Sequence, residues 1–125
     1  MVIHVDVIPH KNQRYSTCGD WQFLGGGLHV SVSDTGSLES NFLVAIHELV
    51  EAFLCHTANI SEASVDEFDM SHPELEEPGE SPSAPYNRQH AVAEIVERMV
   101  AHAAGVNWQE HGSRIDLLFG DGAAT

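Results

Sequence analysis

Basic side chains are scarce in this chain. Five Lys and Arg residues stand against nineteen Asp and Glu in 125 residues, a formal charge of −14. A surface of that sign excludes sequence-independent binding to nucleic acid, which needs a basic face. Cysteine is scarce too: Cys18 and Cys55 form no C-x-x-C pair, which argues against a zinc ribbon or a dithiol redox motif and fits a reduced pair in a cytoplasmic protein. No apolar run reaches the length of a membrane span, and "MVIHVDVIPH" lacks the basic and apolar regions of a signal peptide. The expectation is a cytoplasmic protein with no membrane contact.

What is present is enough for one compact domain. Apolar residues make up 42% of the chain, an ordinary share that can build a core over residues 1–125. Residues 1–35 read mainly as strands. In "VIHVDVI", Ile3, Val5 and Val7 alternate with His4 and Asp6, the pattern of a half-buried strand ended by Pro9. Two further strands, 21–24 and 28–33, flank Gly25-Gly26-Gly27 as a hairpin. The glycines serve a turn, since they lack the spacing and following helix of a phosphate loop. Ser37 then caps a long helix over 37–58. Residues 61–85 hold a short acidic helix capped by Ser61 and a Pro- and Glu-rich loop, with eight acidic residues between 62 and 80. A second long helix spans 86–105 and stops at Gly105. Asn107 caps a last short helix, and 120–125 reads as a frayed tail. The fold class is α+β: a small three-stranded antiparallel sheet followed by two long helices packed on one face, plus short helices.

Both long helices carry His and Glu one turn apart. In "AIHELVEAFLCH", His47 and Glu51 share a narrow polar wedge with Glu48 and Cys55, while Phe42, Leu43, Ile46, Leu49, Val50 and Phe53 make a wide apolar face. In the second helix His90 and Glu94 repeat the spacing, with Val92, Ile95, Val96 and Met99 opposite. The first wedge holds no Lys or Arg to pair its carboxylates. Two helices each offering His and Glu are a recurrent way of holding a divalent metal, provided the wedges meet at the helix seam. The plain alternative is two solvated helix faces. Trp21, Trp108, Phe42 and Phe53 read as core, and His56 and His102 as surface residues.

"HELVEA", placed after three short strands, resembles the active-site helix of zincin metalloproteases of the minimal gluzincin type. In that family two histidines of H-E-x-x-H and a later glutamate bind zinc, and the glutamate after the first histidine activates water. The resemblance implies His47 as a ligand and Glu48 as the catalytic base. The chain departs from the pattern at Glu51, which stands where the second histidine belongs. With His90 in place of the later glutamate, two histidines and one carboxylate are kept, a set that zinc accepts with water in the fourth position. Glu94, His72 and Asp69 are the other candidates for the third ligand. Cys55 is either a soft ligand or a core residue, and Tyr86, His72 or Arg88 can stabilise an oxyanion. A peptide substrate would lie against the edge of strand 28–33, with "EEPGESPSAPYNRQH" either a lid or a plain surface connection.

"PHKNQRYSTCGDW", "HELVEAFLC" and "APYNRQHAVAEIVERMVAHAAGVNW" also resemble small uncharacterised proteins encoded by phages and prophages, a likeness that spans most of the chain and implies no activity. Several functions follow. One is a zinc-dependent hydrolase acting on peptides. Another is a binding module in which a metal only fastens the helices. A third is an acidic interaction protein without metal, for instance an inhibitor of a host protein. A faint echo of helical nucleotide pyrophosphatases, in "HELVEA" with "AEIVER", is opposed by the histidines and the sheet.

Overall fold

The computed structural model describes residues 1–120. Three strands come first: β1 (Ile3–Ile8), β2 (Gly19–Leu24) and β3 (Gly27–Ser33). Helices α1 (Leu38–Thr57), α2 (Glu62–Met70), α3 (Asn87–Ala103) and α4 (Trp108–Phe119) follow, with short 3-10 turns at His10–Asn12 and Pro78–Glu80. The expected caps form: Ser37, Ser61 and Asn107 accept from the backbone N–H groups of Ser40, Ser64 and Glu110. Gly105, in the left-handed region at φ 74°, follows the end of α3. Gly120 closes α4, and the rest of the expected tail, 121–125, lies outside the described residues.

The sheet corrects the expectation of antiparallel pairing throughout. Its order is β1-β3-β2, and β1 runs parallel to β3, in register from Ile3 opposite Leu28 to Ile8 opposite Ser33. The segment 9–18 carries the chain across the sheet, so that β2 and β3 form the hairpin on the far side. Gly25 and Gly26 both take positive φ, as a two-residue hairpin turn with the sheet's own twist requires. β3 is therefore the central strand with both edges paired, which removes the free edge against which a peptide was expected to lie.

Burial brings a second correction. In β1, Ile3, Val5 and Val7 are all exposed, because α1 packs on β2 and β3 and leaves β1 outside the helical cover. The core joins Trp21, Leu28, Val30 and Val32 from the sheet to Val44, Ala52 and Cys55 of α1, with Val65, Tyr86 and Ile115 closing it. Phe42 and Phe53 are more than half exposed, against the expectation that they are core, and Trp108 is half-buried under the Arg98 guanidinium.

The side of α1 that packs inward is the one bearing Leu43, Val44, His47, Glu48, Glu51, Ala52 and Cys55. In α3 it is the one bearing His90, Ala93, Glu97 and Ala101, while Val92, Ile95 and Met99 face outward. Small alanines on both sides let the two helices approach closely along their length, and the polar wedges meet at that seam. Among the described residues no helix is long and apolar enough to cross a membrane.

Candidate metal centre

Three atoms converge at the seam. Nε2 of His47 lies 3.2 Å from Nδ1 of His90, which lies 3.0 Å from Oε2 of Glu51, and that oxygen lies 3.4 Å from Nε2 of His47. His47 and Glu51 come from successive turns of α1 and His90 from the first turn of α3. All three residues are buried, and their ligand atoms are close enough together to hold a metal ion.

Two of the three inner atoms, those of His47 and Glu51, are aimed by a contact behind them. Glu97 accepts from Nδ1 of His47 at 2.8 Å and from Nε2 of His111 at 2.6 Å. An ionised carboxylate only accepts, so the neutral His47 ring carries its proton on Nδ1 and turns the lone pair of Nε2 into the triangle. Nδ1 of His111 is then free to accept from the Ser40 hydroxyl at 2.9 Å, which anchors the relay at the start of α1. Trp21 Nε1 donates to Oε1 of Glu51 at 3.0 Å and leaves Oε2 for the cluster. Outer contacts of this kind orient ligands in metal sites and raise their basicity.

The electrostatics follow from that packing. Burial works against a charged His47, but its bonds to Glu51 and Glu97 prevail and set its pKa well above 6.5. His90 is raised as well, burial and the His47 charge opposing and Glu51 winning. For Glu51 burial is likewise outweighed by the two imidazoles, which hold it at about 2. Glu97 is lowered against its burial by His111 and His47. Glu48 goes the other way. Buried, and next to the Glu51 charge, its carboxyl is held well above 4.5. It is pressed against β2 at Gly19, where a Cβ would lie 2.7 Å from Cγ of Glu48, so a side chain there would force Glu48 to move.

A cavity of about 260 Å³ opens beside the cluster. His47, Glu48, Glu51 and His90 line it, β2 contributes Gly19, Asp20 and Trp21, and no Lys or Arg reaches it. Residues 76–80 form another wall, so the Pro- and Glu-rich segment covers part of the site rather than passing it by. Half-buried Glu77 is pushed up to about 7 by that burial. Asp20 is neutralised by Arg14, whose Nε and Nη2 reach its oxygens at 2.7 and 2.9 Å and which also bonds Asp66.

The other candidate residues scatter. Glu94 stays at the rim with its Oε1 3.9 Å from Nε2 of His90, and Glu97, one turn further along α3, takes the inner position instead. Asp69 lines the cavity but accepts from the hydroxyls of Tyr15 and Tyr86, with burial raising it to about 6. Tyr86 thus has its hydroxyl engaged. His72 stacks on Phe68 and bonds its carbonyl, outside the cavity lining. Cys55 is fully buried in the core, its thiol pushed up to about 12 by burial first and the Glu51 and Glu48 charges next. Arg88 is exposed and away from the lining.

Sequence reasoning gave no role in the site to Glu97, His111, Ser40 or Trp21, the last of which it read as core. Glu97 was the most accessible of these, since it follows His90 by seven residues and so returns to the same helix face after two turns. Comparison of the chain with protein-family models, curated proteins and solved structures finds no match.

Proposed function

We propose that this chain is a small zinc-dependent hydrolase with a zincin-like arrangement, acting on peptides. One observation carries the reading: the inner atoms of His47, Glu51 and His90 stand 3.0–3.4 Å apart. Three corners of a tetrahedron with bonds of about 2.0–2.1 Å are separated by about 3.3 Å, and catalytic zinc sites use three protein ligands with the fourth position open. An ion held there would supply Lewis acidity and a bound water that ionises near neutral pH. Glu48, adjacent in sequence to the first ligand and lining the same cavity, is placed to act as general base and acid, and would carry a proton from the attacking water to the leaving amine. β2 runs along the cavity with its outer edge unpaired by any strand among the described residues, so it replaces β3 as the place for an extended substrate.

A second reading has its own support. The same contacts tie α1 to α3 and α4, and the cavity is small for a peptide site. A metal that only fastens the helices of an acidic interaction protein, with a host protein as partner, would use the cluster without turnover. Zinc content and hydrolysis of a fluorogenic peptide library, measured on untagged wild type and Glu48→Gln, separate the two. The hydrolase reading expects near one zinc bound at the triangle in both proteins and a loss of at least about 100-fold in turnover in the variant. Full activity in Glu48→Gln, or zinc without any hydrolysis in the wild type, would overturn it.

A further inference from the structure

The two nitrogens of the His90 ring face different surroundings. Nδ1 belongs to the triangle with His47 and Glu51. Nε2, on the other side of the ring, is buried and has no hydrogen-bond partner among the described residues, in a residue only 6% exposed. A buried polar atom left without a partner is costly, so what it faces is informative. The nearest charged oxygens are Oε1 of Glu77 at 3.6 Å and Oε1 of Glu94 at 3.9 Å, beyond hydrogen-bond length. Glu77, Glu80 and His90 each offer a ligand atom, and the three atoms lie within 4.8 Å of one another.

The turn that brings the two glutamates here is fitted to the ring. Pro78–Glu80 forms the 3-10 turn, and Asn87 Nδ2 donates to the Gly79 carbonyl at 3.1 Å. Gly79 lies so close that a Cβ would sit 2.5 Å from Cγ and Nδ1 of His90. Glycine is therefore what lets the turn lie against the His90 ring, with Glu77 before it and Glu80 at its end.

We propose that Nε2 of His90, with the carboxylates of Glu77 and Glu80, holds a second divalent cation, so that one imidazole bridges two ions. One nitrogen and two carboxylates at a half-open position suit zinc or manganese, with water completing the shell. The proton count is simple. Each ring nitrogen gives its proton to solvent when its ion arrives, and the resulting imidazolate charge is balanced by the two dications. The bridge rests on the metal reading of the triangle; the second site itself needs only His90 and the turn.

Equilibrium dialysis of the full chain against zinc, then against manganese, followed by elemental analysis, tests this. The proteins are wild type, His47→Ala, His90→Ala and the double variant Glu77→Gln/Glu80→Gln, each checked for folding by circular dichroism. Two zinc ions are expected in wild type, one in the double variant, one in His47→Ala and none in His90→Ala. One ion in wild type that persists in the double variant overturns the second site and leaves the triangle standing. One ion that is lost in the double variant but kept in His47→Ala upholds the second site and sinks the triangle. No ion in any protein overturns both. Should the double variant fail to fold, Glu80→Gln, a change at an exposed side chain, must weaken the second ion by at least tenfold; unchanged affinity there overturns the site.

Discussion

Zinc should stabilise this protein more at pH 8 than at pH 6, and the buried His pair sets the size of the difference. Without metal, Glu51 and Glu97 hold His47 protonated well above 6.5 in spite of burial, and His90 is raised as well. A folded pKa above the unfolded one contributes stability that is fully present below about pH 6.5 and is lost as pH rises through the folded value. Glu51, at about 2, and Glu97, also lowered, contribute stability present above the unfolded carboxyl value and lost as pH falls through their folded values. Chelator-treated protein is thus most stable between roughly pH 4.5 and 6.5. An ion at the triangle must displace the imidazole protons. Each proton released makes apparent affinity climb tenfold per pH unit, about 1.4 kcal/mol. From pH 6 to pH 8 one proton gives about 2.7 kcal/mol of added metal stabilisation, and two protons up to twice that. At about 4 °C per kcal/mol for a domain of this size, the gap in Tm between zinc-loaded and chelated protein widens by about 10 °C or more. Differential scanning calorimetry at pH 6, 7 and 8, with excess zinc or EDTA in phosphate-free buffer, reads it directly. A gap that is equal at pH 6 and pH 8, or narrower at pH 8, refutes proton displacement from the His pair.

Two substitutions probe the supports of the site. Glu97→Gln keeps the shape but removes the charge that aims His47 and holds His111, and zinc affinity should fall about 10–100-fold in competition with a chromophoric chelator; an unchanged affinity means that Glu97 only packs. Gly79→Ala drives a methyl into the His90 ring, since the new carbon would stand 2.5 Å from two ring atoms, and urea unfolding of the metal-free protein should show a loss of about 1–3 kcal/mol. The same variant should bind zinc more weakly, because the ring can escape only by leaving the triangle.

The i, i+4 spacing of His47 and Glu51 was legible in the sequence, and so was the meeting of two polar wedges once His90 was placed one turn into its helix. These follow from helix geometry, which the chain cannot evade. The direction of β1 was not legible. Alternation in "VIHVDVI" states only that a pleated strand has two faces; it says nothing of the partner's direction or of what covers either face. Residues 9–18 decide the partner by crossing the sheet, and α1 decides the cover by lying on β2 and β3.

The inversion of α1 and α3 is the more instructive failure. Hydropathy ranks each side chain alone, so Phe42, Phe53, Ile95 and Met99 read as faces that should pack, whereas the seam buries the polar wedges bearing His47, Glu51, His90 and Glu97. A buried charge is costly by itself, but the cost falls when every oxygen and nitrogen finds a partner. Here Trp21, Ser40 and His111 provide those partners from β2, the start of α1 and α4, up to 71 positions away in sequence. No window on either helix contains that information. The atom the network leaves bare, Nε2 of His90, is where two acidic side chains gather, although burial would favour apolar cover. A seam built for packing alone would place aliphatic side chains at Glu51, His90 and Glu97. Their presence, with Glu97 behind His47 and an open cavity in front, gathers groups close enough to hold a cation.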